Sequence, residues 1–113
     1  MKTLNLFPYY ETLVKQKLKR ASLRLGDQTT KYSVGDKIHI TVGWNLKRGS
    51  SIASAVITHT SIKRVGHLMT EDLQGGSPDC SKPEAIKCVM SAIYRQVVTE
   101  SNAVTIVKWR YLQ

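Results

Sequence analysis

The chain has 113 residues, with 17 Lys and Arg against 8 Asp and Glu, a formal charge of +9. That length fits one domain and hardly two, and a hydrophobic fraction of 42% is close to the ordinary globular level and speaks against disorder. No apolar run approaches the roughly 20 residues of a membrane helix, and Asn5 and Pro8 interrupt the opening MKTLNLFPYY before it forms the apolar core of a secretory signal. The expectation is a soluble, cytoplasmic, single domain spanning 1–113.

Pro8 suits the first turn of a helix, and Leu13, Val14 and Leu18 follow on one face, so 8–18 is predicted helical with a basic outer side. Ala21–Leu25 reads as a short extended stretch, followed by a polar loop to Lys31 and a Val34-Gly35-Asp36 turn. Ile38, Ile40, Val42 and Trp44 then alternate with Lys37, His39 and Thr41, the period of a strand with one buried face. Residues 45–50 form a basic hairpin loop, and the β-branched run 52–60 a second long strand. A short helix within 65–74, capped by Thr70, and a flexible 75–79 loop come next. Ser81-Lys82-Pro83-Glu84 has the S-x-x-E form of a capping box. Ile86, Val89, Met90, Ile93 and Val97 follow it at helical spacing, which predicts a helix over 82–96. Residues 103–111 close the chain as a strand. This order predicts an α+β domain, a small β-barrel with helices packed outside.

The basic excess is confined. Residues 1–24 carry six bases against one acid, residues 31–64 again six against one, and residues 65–113 five against five. Clustered Lys and Arg release counterions from a nucleic-acid backbone, so Lys17, Lys19, Arg20, Arg24, Lys47, Arg48 and Lys63 are the candidate nucleic-acid contacts. The alternative is a solvated face that aids solubility. A membrane-surface role needs a longer basic amphipathic helix than 9–20 provides. Cys80 and Cys88 are expected to be reduced thiols. With His39, His59 and His67 they show none of the spacings zinc sites favour, so neither a metal nor a cofactor is predicted. Trp44, Trp109 and Tyr111 read as core, Tyr9 and Tyr10 as packing with an option of base stacking, and His39 as a surface residue.

Several of these pieces together resemble the ASCH domain, of the PUA-like superfamily. They are Leu13-Val14, the basic segment LKRASLR with Lys19, Ser22 and Arg24, the YSVGD turn at 32–36, the LMTEDL run at 68–73, and a helix ending in Ala92-Ile93-Tyr94. The likeness covers nearly the whole chain. Where the family pattern reads G-x-K-T-x-T-x-R, this chain keeps Lys19 and Arg24 but has Lys17 for the glycine, Arg20 for the first threonine and Ser22 for the second. The resemblance implies a PUA-like barrel whose cleft binds RNA. It also implies a link to small bacterial amidohydrolases that cleave the acyl group of N4-acetylcytidine with a Lys, the second Thr and a later Glu. Carried over residue by residue, these fall on Lys19 as base, Ser22 as nucleophile and, by spacing back from Tyr94, Asp79 as acid.

Lysine can deprotonate a hydroxyl when its own pKa is lowered, and the crowd of positive charge around Ser22 favours that. The competing reading makes Ser22 a strand serine and Lys19 a phosphate clamp. The leading expectation is an RNA- or nucleotide-binding domain with a basic cleft. A modified-nucleoside amidohydrolase and a metal-independent ribonuclease are the alternatives. In every version Lys19, Ser22 and Arg24 face one polar pocket, with the 75–79 loop on its rim.

Overall fold

The computed structural model describes residues 2–43 and 51–112. Trp44, Lys47, Arg48 and the expected 45–50 loop lie outside the described residues.

The strands are β1 (Lys2–Leu6), β2 (Ala21–Leu25), β3 (Lys37–Val42), β4 (Ser51–Arg64) and β5 (Ala103–Tyr111), with helices α1 (Glu11–Lys15) and α2 (Ile86–Tyr94). They form one sheet in the order β1-β3-β4-β5-β2. β1 runs parallel to β3, and the other neighbours are antiparallel. β1 and β2 are therefore the two edges, and no ladder joins them among the described residues. The expected closed barrel is an open five-stranded sheet.

β5 sits between β4 and β2, and its residues 104–107 are buried on both faces of the sheet. Val107 and Trp109 join Leu4, Tyr10, Val14, Ile38, Ile40 and Ile57 in one core beneath α1. Val104 and Ile106, on the opposite face, join Val65, Leu68, Leu73, Ile86 and Met90 beneath α2. Alternation of side chains along a strand thus serves two cores.

The helices are shorter than their periodicity predicts. A 3₁₀ turn over Pro8–Tyr10 leads into α1, which stops at Lys15. Lys17 takes a left-handed φ of 59°. The Leu18 amide then reaches the Leu13 carbonyl at 2.9 Å and the Lys17 amide the Val14 carbonyl at 2.9 Å, a Schellman-type ending. The 65–74 segment is two 3₁₀ turns, Val65–His67 and Thr70–Leu73. Asp72, not Thr70, caps the second, accepting from the Met69 amide at 2.8 Å.

α2 begins at Ile86 after a 3₁₀ turn over Pro83–Ala85, with no side-chain cap. The expected capping box is absent because the Ser81 hydroxyl donates instead to the Pro78 carbonyl at 2.9 Å. The helix ends at Arg95, left-handed at φ 53°, so Val97 lies beyond it and is exposed rather than in the core. β4 continues to Arg64, past the expected end at Thr60, because β5 pairs with it as far as Ala103↔Arg64. β1 itself was not expected. Its Leu4 and Leu6 are buried against β3, a partner more than thirty residues away. Among the described residues, no helix is long and apolar enough to cross a membrane.

Candidate functional site

The open seam between the two edge strands holds a cavity of about 490 Å³. β1 lends Asn5 and Leu6 to its wall, β2 lends Ala21 to Arg24, and α2 lends Val89, Met90, Ile93 and Tyr94. Phe7, Tyr10, Lys19, Gly43, Asp72, Leu73, Gly76 and Cys80 complete it. Where a closed barrel would have a β1–β2 ladder, this chain has a pocket.

Local chain geometry explains how the basic segment reaches it. The left-handed Lys17 turns the chain out of α1, and β2 is then held to β5 by the register Ser22↔Val107. The Arg20 amide donates to the Gly75 carbonyl at 2.6 Å, which docks the 75–79 loop onto the start of β2. Lys19 is 4% exposed and Ser22 9%. The Lys19 ammonium donates to the Ser77 hydroxyl at 3.3 Å and stands 4.5 Å above the centroid of the Tyr10 ring. That is a cation–π contact made by a buried ammonium. The Tyr10 hydroxyl in turn donates to Asp79 Oδ2 at 2.9 Å. The Tyr111 hydroxyl donates to the Lys19 carbonyl.

These contacts set the protonation states. Burial lowers the Lys19 ammonium from its ordinary 10.5 to about 8; Cys80 and Asp79 pull it partly back up, and Arg24 pushes it down. Burial pushes the Asp79 carboxyl up, but hydrogen bonds from Ser77, Tyr10 and Cys80 and the charge of Lys19 outweigh that, and it stays below the usual range. Burial, then the Asp79 bond, holds the Tyr10 phenol far above its ordinary value. Burial also raises the Cys80 thiol.

The expected residues divide. Lys19, Ser22 and Arg24 all line the cavity, and Gly76 of the loop joins them. Asp79 stands behind Lys19, in the second rank, bonded to Tyr10. The hydroxyl that meets Lys19 belongs to Ser77, 2% exposed, and not to Ser22. Lys17 and Arg20 are exposed and do not line the cavity. Lys63 does not line it either; its ammonium is 2.8 Å from Asp72 Oδ2, so it is an ion-pair partner of a wall residue. Lys47 and Arg48 lie outside the described residues. Cys80 and Cys88 are free, Trp109 is core, Tyr10 is buried and Tyr9 is 74% exposed. Among the described residues no cluster of His, Cys, Asp and Glu has the makings of a metal site.

Sequence reasoning missed Ser77, Asp72 and the aromatic wall of Phe7 and Tyr94. The sequence marks Ser77 only as a serine before a proline. Its closeness to Lys19 exists solely because the 75–79 loop docks on β2.

No family model matches the chain, and no curated protein does. Solved structures are similar to it in fold. An ASCH domain from Lactobacillus crispatus JV V101 superposes with a TM-score of 0.67 at 17% identity, over 97% of this chain and 79% of that one. A serine-to-alanine variant of the ASCH protein of Zymomonas mobilis gives 0.63 at 14% identity, over 96% and 66%. A protein of Enterococcus faecalis V583 gives 0.63 at 14%, over 99% and 80%. The chain has an ASCH-type fold.

Proposed function

We propose that the chain binds a nucleotide unit, of RNA or free, with its base in the seam cavity and its phosphates against the basic segment. One observation carries this reading. Three polar side chains from a single six-residue stretch, Lys19, Ser22 and Arg24, open onto one cavity whose other walls are largely apolar and aromatic. Small-molecule pockets run to about 300–1,000 Å³ with a few placed polar groups on apolar walls, and about 490 Å³ is ample for one nucleoside. Phe7 and Tyr94 offer ring faces for a base. Lys19, largely an ammonium at neutral pH, and Arg24 supply charge-assisted donors for phosphate or carbonyl oxygens.

The reading is tested by titrating the chain into a labelled single-stranded oligoribonucleotide at about 50 and 200 mM salt. Binding that weakens at least about tenfold between the two supports it. No binding at the lower salt overturns it.

A second reading, hydrolysis of the acyl amide of an N4-acetylcytidine-type nucleoside, is favoured by the lowered Lys19, which leaves a minority of free amine near neutral pH. Ser22 would be the nucleophile and Asp79 the acid. Against it, Lys19 is bonded to Ser77 rather than Ser22. Incubation with N4-acetylcytidine separates the two readings. Release of cytidine that is lost in Lys19→Ala and Ser22→Ala favours hydrolysis, and an intact substrate favours binding alone.

A further inference from the structure

We propose that Asp72 selects the base held in the cavity, favouring nucleobases with an exocyclic amine over those with a carbonyl at the same position. This rests on the nucleotide-binding reading above and adds a specificity to it.

Asp72 is the one carboxylate on the cavity wall among the described residues. Its two hydrogen bonds both fall on one oxygen. Oδ2 accepts from the Lys63 ammonium at 2.8 Å and from the Met69 amide at 2.8 Å. Those two donors fix the carboxylate plane, and Oδ1 accepts nothing among the described residues. Burial pushes the carboxyl up, but Lys63, the Met69 amide and the charge of Lys108 outweigh it and keep Asp72 ionised.

An ionised carboxylate only accepts hydrogen bonds. It gains from an N–H that points at it and is penalised by a carbonyl oxygen. Among the described wall residues no other side chain is an anionic acceptor; the Ser22 and Tyr10 hydroxyls are neutral and both donate and accept. Lys19 and Arg24 are donors without acceptor capacity. The Asn5 amide is neutral and engaged on both atoms, its nitrogen on the Gly43 carbonyl at 3.2 Å and its oxygen on the Thr41 hydroxyl at 2.8 Å. The Tyr94 oxygen accepts from the Leu25 amide at 3.1 Å, which leaves its proton as a further donor. The wall therefore pairs several donors with one strong acceptor. Lys63, expected from its charge to clamp a phosphate, acts instead as the residue that holds Asp72 ready.

The test compares nucleotides that share sugar and phosphate, so that only the base edge differs. Dissociation constants for cytidine and uridine 5′-monophosphate, and for adenosine and inosine 5′-monophosphate, are measured at fixed salt with the wild-type chain and with Asp72→Asn. The wild type is expected to prefer the amino member of each pair by about tenfold or more. In Asp72→Asn, whose amide also donates, the preference falls to within about twofold or reverses. Equal wild-type affinities within each pair overturn the proposal while leaving nucleotide binding intact. So does a folded Asp72→Asn that keeps the wild-type preference. If no nucleotide of the set binds, the base selection proposed here falls, and the oligoribonucleotide titration decides the binding reading separately. Asp72 also caps a turn, and if the variant does not fold the wild-type ratios decide alone.

Discussion

The Arg24 guanidinium donates from Nη1 to the backbone carbonyl of Asn5 at 2.9 Å, joining the two edge strands of the sheet across the mouth of the cavity. A side chain does there what a strand ladder does in a closed barrel. Its Nε is buried without a partner among the described residues, so the clasp also keeps a donor in reserve.

Arg24→Ala is expected to lower unfolding free energy by about 1.5–3 kcal/mol, the range for a hydrogen bond to a charged group, and to weaken nucleotide binding as well. Urea denaturation and a nucleotide titration on the same variant check both. A variant with unchanged stability shows that the clasp does not hold the seam.

Lys17 occupies the left-handed position that ends α1, where the backbone favours glycine. Lys17→Gly is expected to stabilise the chain by about 1 kcal/mol by relieving that strain. The midpoint of urea unfolding should rise. A lower midpoint means that the exposed lysine earns its place through contacts in the folded state.

This residue also shows how far the sequence could be read. Its place in the pattern, opposite a family glycine, was visible; the reason, a left-handed turn closing a helix three residues early, was not. β3 was legible from alternation and β4, short of its full length, from β-branching, while β2 and β5 were placed to the residue. β1 was not, because five residues with two leucines gain strand character only from pairing with a distant β3. The cavity residues Ser22 and Arg24 were legible because two-residue spacing along a strand puts side chains on one face; Lys19, ahead of the strand, was legible only through the family resemblance. Asp72 and Ser77 were not, since they reach the site from loops whose docking is tertiary. The barrel was overread: the order of elements from α1 onward was right, but it lacked β1, and nothing in it reveals whether the two edge strands meet.

Burial of Lys19 makes stability depend on pH in a defined direction. Below about pH 8 the folded chain bears the full cost of a buried ammonium. Between about 8 and the ordinary 10.5, the folded lysine is neutral while the unfolded one still binds its proton. Stability conferred at this position therefore rises with pH across that window, by about 3 kcal/mol. Tyr10 and Cys80, both raised, act in the opposite sense at alkaline pH. The difference between wild type and Lys19→Met removes most of their contribution, since both groups remain in the variant. Expected is a variant more stable than wild type at pH 7, with the advantage shrinking from pH 8 to 10.5. A difference that stays flat with pH contradicts the buried-ammonium account.

The central claim is that the seam cavity itself receives the nucleotide. A titration of ¹⁵N-labelled chain with cytidine 5′-monophosphate, followed by amide chemical shifts, tests it most directly. The account predicts saturable shifts concentrated in residues 19–24, 72–76 and 89–94, the walls of the cavity. Shifts spread over exposed basic positions such as Lys31 and Lys37, with the cavity walls silent, would contradict it.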